Sequence, residues 1–147
     1  MEEPGHFATA EQLIEKLDLR PHPEGGWYRE TWRAEPYAGK RSSATAIHFL
    51  LEEDQRSRWH RVDADELWLW QAGAPLTLSI STETAGQVQE VTLGPDVLFG
   101  DRLQALVPAN QWQAAEPLGG WVLVSCIVSP GFDFSAFEIA PEGWQPD

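Results

Sequence analysis

Cysteine occurs once in the 147 residues, at Cys126. A single thiol excludes a disulfide framework. It lies in the apolar run 121–128 and reads as a small buried hydrophobe rather than a nucleophile. Basic residues are also scarce: 10 Lys and Arg face 23 Asp and Glu, a formal charge of -13. A chain so acidic repels phosphate backbones and anionic membranes. No basic patch interleaved with aromatics is visible, so nucleic acid is not an expected partner. No apolar run approaches the length of a membrane span, so a membrane is not expected either. The start, Met1-Glu2-Glu3-Pro4, has neither the charged nor the apolar region of a signal peptide, and the expected location is cytoplasmic. Repeats, low-complexity tracts and linkers are missing as well.

What is present fits one domain with one core. Hydrophobic residues make up 42% of the chain, and there are eight Trp. Trp combines a large apolar body with one N–H that needs a partner, and most of the eight are expected to pack the interior. Thr9-Ala10-Glu11-Gln12 forms a capping box, followed by Leu13, Ile14 and Leu17 at helical spacing. A short helix over about 10–20 is predicted, ended by Pro21 and Pro23 and packed on the outside.

Period-two segments dominate after the loop Pro21-His22-Pro23-Glu24-Gly25-Gly26. They fall at 27–33, 44–51, 65–71, 76–82, 88–93, 103–107, 111–115 and 121–128, with an extended stretch at 132–139. Turns are marked by Gly73, Gly86, Gly94-Pro95, Pro108-Ala109-Asn110 and Gly119-Gly120. One helix followed by many short strands argues for an all-β barrel or sandwich, most simply a jelly roll. The final stretch, 141–147, reads as a loosely held tail.

His60-Arg61-Val62-Asp63-Ala64-Asp65-Glu66, followed by Gly73, resembles the first cupin motif. Gly100 and then Pro108-Ala109-Asn110-Gln111-Trp112-Gln113 resembles the second. His22-Pro23-Glu24-Gly25-Gly26-Trp27-Tyr28-Arg29-Glu30-Thr31-Trp32 and Val128-Ser129-Pro130-Gly131-Phe132-Asp133-Phe134 resemble the signatures of the fifth cupin subfamily, a domain-of-unknown-function branch. Ser42-Ser43 and Ile47-His48-Phe49-Leu50-Leu51 also fit it. The resemblance covers about residues 10–140. It implies an all-β cupin jelly-roll β-barrel over about 27–140 with one short N-terminal helix, a single cupin domain across 1–147, and a homodimer. It implies no settled activity.

Cupin metal sites are built from three His and one Glu. The resemblance leaves His60 and Glu66 at two of those positions. Val62 stands at the third and cannot coordinate. Gln113 stands at the fourth, with an amide oxygen that binds transition metals poorly. His48 lies on a neighbouring strand, but no spacing requires it as a ligand. The expectation is therefore no metal and no cofactor.

Side chains on a strand alternate faces. With Glu66 inward, Trp68 and Trp70 are inward too, and Leu67 and Leu69 face out. With Gln113 inward, Ala115 joins it. The expected interior set is His60, Glu66, Trp68 and Gln113, which has the character of a small-molecule pocket. Arg29 and Glu30 either cap its mouth or pair with each other. His48 is a ligand contact or a packed barrel residue. Asp133 orients an imidazole or caps a turn. Glu52-Glu53-Asp54 reads as a solvated turn.

Two functions fit this set. One is capture of a small organic ligand. The other is a metal-independent isomerase or epimerase acting on a keto-sugar-like or related carbonyl metabolite. There His60 is the base, since its pKa lies near neutrality, and Asp133 or Glu66 orients it. Such enzymes use a Tyr as acid, and the chain offers only Tyr28 and Tyr37.

Overall fold

A computed structural model describes residues 8–82 and 87–146. Among the described residues the one α-helix, α1, spans Ala10–Lys16. The capping box forms as read: Thr9 Oγ1 accepts from the Gln12 amide at 3.1 Å, and Gln12 Oε1 accepts from the Thr9 amide at 2.9 Å. The helix stops before either proline. Asp18 adopts a left-handed conformation (φ 55°), and the Leu19 amide reaches back to Ile14 O at 2.9 Å. This is a Schellman-type ending with Asp in the left-handed position. Pro21 instead lies in the first strand.

The strands are β1 Arg20–Pro21, β2 Trp27–Arg33, β3 Thr45–Leu51, β4 Ser57–Arg61, β5 Asp65–Gly73, β6 Leu76–Ser81, β7 Val88–Leu93, β8 Gln104–Val107, β9 Trp112–Pro117, β10 Val122–Ser129 and β11 Glu138–Ile139. They form two antiparallel sheets, ordered β1-β2-β3-β10-β5-β8 and β11-β4-β9-β6-β7. The sheets share one core, with Phe49, Trp68, Val124 and Cys126 from the first meeting Leu78, Ile80 and Ala115 from the second. The fold is the expected jelly-roll barrel.

The alternation that specifies this packing is clearest in β10. Val122, Val124, Cys126 and Val128 are buried, and the residues between them are partly exposed. The run Phe49-Leu50-Leu51 in β3 is buried throughout for a different reason. Phe49 and Leu51 enter the barrel, and Leu50 lies under α1 in a second cluster with Ala10 and Leu19. Complete burial of one such leucine contributes roughly 2 kcal/mol.

Three strands were not legible as period-two segments: β1, β4 and β11. The stretch read as extended at 132–139 is interrupted by a 3-10 turn at Phe134–Ala136 and ends in β11. The hairpin turn at Gly86 lies outside the described residues, as does Asp147. The C-terminal stretch is not loose over its described part. Trp144 packs against Trp112 (4.8 Å between centroids) and Trp59 (6.2 Å) on the outside of the five-stranded sheet, and Pro146 is buried. Among the described residues no helix is long and apolar enough to cross a membrane.

Candidate functional site

A cavity of about 780 Å³ opens into the barrel between the sheets. Its deep end is built around Glu24. Two glycines place that residue. Gly25 has φ 109°, and a Cβ there would lie 2.1 Å from Arg56 O. Gly26 has φ 77°, and a Cβ there would lie 2.8 Å from Leu50 O. Only glycine tolerates such an approach in that conformation. The loop is also fastened to β4, where the Arg58 amide donates to Glu24 O at 2.8 Å.

β4 presents two buried side chains to Glu24. Residues three apart on a regular strand face opposite sides. A register irregularity between Ser57 and His60 turns both inward. Ser57 Oγ donates to Glu24 Oε2. His60 Nε2 lies 3.3 Å from Glu24 Oε1, and His22 Nδ1 lies 3.5 Å from the same oxygen.

Proton positions follow from the other bonds. His60 Nδ1 faces Arg58 O at 2.7 Å and must donate to it, so a neutral ring carries a lone pair on Nε2. His22 Nδ1 accepts from the Glu24 amide at 3.1 Å. Glu24 Oε1 therefore faces two imidazole lone pairs, and one proton is needed to reconcile them. Burial supplies the reason for it, pushing the Glu24 carboxyl up to about 8. Burial likewise holds His22 down at about 3 and lowers His60, so both rings are neutral near pH 7.

Glu66 enters from β5. Burial pushes its carboxyl up to about 7, with His60 pulling the other way. Gln113 fixes its orientation. Trp68 Nε1 donates to Gln113 Oε1 at 2.7 Å, and Gln113 Nε2 donates to Glu66 Oε1 at 2.9 Å. The Cys126 thiol also meets Glu66, and burial pushes that thiol well up, away from thiolate chemistry.

The mouth is different in kind. Arg33 donates twice to Glu30, at 3.0 and 2.7 Å, and to Phe132 O. Arg41 donates twice to Asp63, both at 2.9 Å, and to Gly131 O. Phe134 and Phe137 wall the space between mouth and base, with Phe137 5.6 Å from the His60 ring and 6.0 Å from His22.

A sequence model of the family described as Cupin superfamily (DUF985) matches residues 11–140. The chain belongs to this cupin family. Its similarities span several organisms. An uncharacterized protein of Saccharomyces cerevisiae, YML079W, is 28% identical over 86% of this chain and 73% of its own. A hypothetical protein from Leishmania major superposes with a TM-score of 0.84 at 34% identity, covering 93% of this chain and 90% of that one. Protein SO0799 from Shewanella oneidensis gives 0.85 at 37% identity, covering 91% and 85%. A mutant of Bacillus subtilis oxalate decarboxylase OxdC gives 0.63 at 12% identity, covering 84% of this chain and 30% of that one, a likeness of fold alone.

Within this cupin, the expected residues separate into four groups. His60, Glu66 and Trp68 line the cavity. Gln113 lies behind them, fully buried and committed to Trp68 and Glu66, so it positions the wall rather than contacting the space. Glu30 and Asp133 lie at the mouth. Glu30 pairs with Arg33 rather than Arg29, and the Asp133 carboxylate caps the turn by accepting from Ser135 rather than orienting an imidazole.

Arg29 and His48 lie outside the cavity. Their strand neighbours Tyr28, Glu30, Ile47 and Phe49 line it, so alternation turns Arg29 and His48 to the outer face. Arg29 pairs there with Asp18 at 2.8 Å. His48 Nδ1 is buried with no hydrogen-bond partner.

The expectations passed over Glu24, His22 and Ser57. Glu24 and His22 stood in the quoted His22-Pro23-Glu24-Gly25-Gly26 signature, and the paired glycines were the signal that its backbone closes on another strand. Ser57 gave no signal, because a bulge breaks the alternation that would have placed it.

The donor set does not fit a cupin metal. Val62 offers no ligand atom, Gln113 Oε1 is taken by Trp68, and Glu24 Oε1 shares a proton with His60. Among the described residues no group of three or more His, Cys, Asp or Glu side chains is arranged to hold a metal ion.

Proposed function

We propose that this cupin captures a small organic molecule in its barrel through hydrogen bonds and aromatic contact rather than through a metal. One observation carries the reading. Glu24, His60 and Glu66 converge at the closed end of an aromatic-walled cavity, each buried and each pushed by burial toward its neutral form. Convergent polar groups in an apolar enclosure are what a ligand site requires. A cytoplasmic place fits a single unpaired thiol. The net charge argues against nucleic acid and anionic membrane as partners.

The reading also includes a homodimer. The outer face of the six-stranded sheet carries Leu67, Leu69 and Ile127, partly exposed, with Leu106 at the edge 53% exposed. A second copy would cover it. Sedimentation showing a monomer at micromolar concentration overturns that part. Elemental analysis showing close to one retained transition metal per chain overturns the metal-free part.

The main test is a thermal-shift screen against nucleotides, nucleotide sugars, keto acids and aromatic metabolites, followed by titration into wild type, His60→Ala and Glu66→Gln. Binding is expected to weaken roughly ten- to a hundred-fold in each variant, as for a lost hydrogen bond to a charged partner. Equal affinity in all three proteins sinks the site.

A second reading is favoured by Tyr28, which also lines the cavity. It supplies the acid that a metal-independent isomerase or epimerase needs. His60 would take the proton next to a carbonyl at Nε2, displacing its contact with Glu24 while Arg58 O holds Nδ1, and Tyr28 would return one to the other face. Incubating keto compounds in D2O and following exchange by NMR separates the readings. Deuterium entering next to the carbonyl favours the enzyme, and ligand recovered unlabelled favours the binder.

A further inference from the structure

The charge the cavity can offer is one-sided. At its closed end the groups able to become positive are His22 and His60, whose side chains are buried among the rings of Phe49, Phe134 and Phe137. The groups able to become negative are Glu24 and Glu66. Ser57, Gln113 and Cys126, which also face these carboxyls, stay uncharged near pH 7. The two guanidiniums at the mouth are committed: Arg33 makes a two-bond pair with Glu30, and Arg41 makes one with Asp63. Lys40 and Asp133, of opposite charge, complete the charged lining.

An anionic ligand would thus meet carboxyls at depth and occupied guanidiniums at the mouth. A cationic ligand would meet two carboxyls and a basket of π faces. Rings attract cations within about 6 Å of their centroids, most strongly where water is excluded. The net charge of -13 also draws cations toward the molecule.

We propose that the cavity takes an organic cation, with its ammonium against Glu66 and Glu24 and its apolar body against Phe134 and Phe137. This rests on the reading of the cavity as a small-molecule site, and names the class of molecule it accepts. Entry of the cation ionises the carboxyls, and their protons leave with binding. An adjacent opposite charge stabilises a carboxylate by about one to three pKa units, so each carboxyl is coupled to the ligand by roughly tenfold or more.

Three probes of one shape test it: benzylamine, benzyl alcohol and benzoate, titrated by calorimetry at pH 7 in two buffers of different ionisation enthalpy. Benzylamine is expected to bind at least tenfold tighter than benzyl alcohol, to release protons, and to tighten from pH 6 to pH 8. In Glu66→Gln the preference for benzylamine over benzyl alcohol should fall roughly tenfold, because the amide keeps the contact with Gln113 but loses the charge that favours the cation. Glu24→Gln is the companion variant, used if circular dichroism shows it folded. Benzoate binding as tightly as benzylamine, or benzylamine binding equally to Glu66→Gln and wild type, overturns the cation and leaves the cavity reading standing. If none of the three binds, both are overturned.

Discussion

The base and the mouth of the cavity hold similar side chains in opposite states. Glu24 and Glu66 at the base are buried, raised to about 8 and about 7, and satisfied by Ser57, His60 and Gln113. Asp63 and Asp133 at the mouth are lowered, the first by Arg41 and the second by the Ser135 amide. Residue type does not decide the charge state. Depth does, because water withdrawn from a carboxylate costs more than one neutral partner returns. The base is thus a fixed construction whose pieces depend on each other, and the mouth is a set of separable ion pairs.

The largest expected effect breaks the base at its backbone. Gly25→Ala puts a Cβ on Arg56 O in a conformation that alanine avoids, and neither main chain can move without releasing Glu24 from β4. A loss of about 3 kcal/mol or more is expected, read as a lower denaturant midpoint at unchanged slope. A midpoint within error of wild type would show that the loop does not lock the base.

Next comes Gln113→Leu. Trp68 Nε1 and Glu66 Oε1 both lose their partner, and each buried group left bare costs about 1–3 kcal/mol. The same unfolding measurement checks it. A loss no larger than an ordinary surface change would mean that Gln113 only fills space.

These two cases show what was legible in the sequence. The barrel was, since period-two segments in β5, β6, β8 and β10 survive as buried alternation. His60 and Glu66 were legible through motif position. Gln113 was placed correctly on its strand, yet its role depends on an indole 45 residues away, and no local pattern carries such a contact. Glu24 was hidden because its placement depends on two positive-φ glycines closing a loop onto β4. His48 was left open between a ligand contact and a packed barrel residue, because its strand was not read for parity. Counting alternation from Phe49 turns it outward.

The pH dependence sharpens the comparison. Glu24 and Glu66 have folded values above the unfolded one, so the folded state holds more protons. Their contribution is complete below about 4.5 and is lost as pH rises through about 7 and about 8. His22, depressed to about 3, works the other way, and its contribution is lost as pH falls below about 6.5. Removing one base carboxyl should isolate the alkaline limb. In Glu66→Gln, the fall in stability between pH 5 and pH 7 should be shallower by up to about 1.4 kcal/mol per pH unit, with the acid limb unchanged. Parallel curves for variant and wild type would show that Glu66 ionises freely and that base and mouth do not differ.

The smallest effect belongs to the mouth, and its smallness is the point. Arg33 has a side chain 42% exposed and Glu30 one 36% exposed, so their pairing is solvated even though both bonds are short. Exposed pairs contribute about 0–1 kcal/mol, because water and salt compete for each charge. Arg33→Ala should therefore cost less than about 1 kcal/mol, and the cost should shrink as salt is added. It also leaves Glu30 without its cation, adding negative charge at the entrance. Benzylamine affinity should then rise slightly at low salt, by less than about threefold, and return to the wild-type value once screening shortens the Debye length to about 3 Å at 1 M. Effects at the base should not respond to salt in this way, since its groups are buried and little screened. If Arg33→Ala instead destabilised the protein as much as Gln113→Leu, with no relief from salt, the mouth would be as interdependent as the base, and depth would not be what separates them.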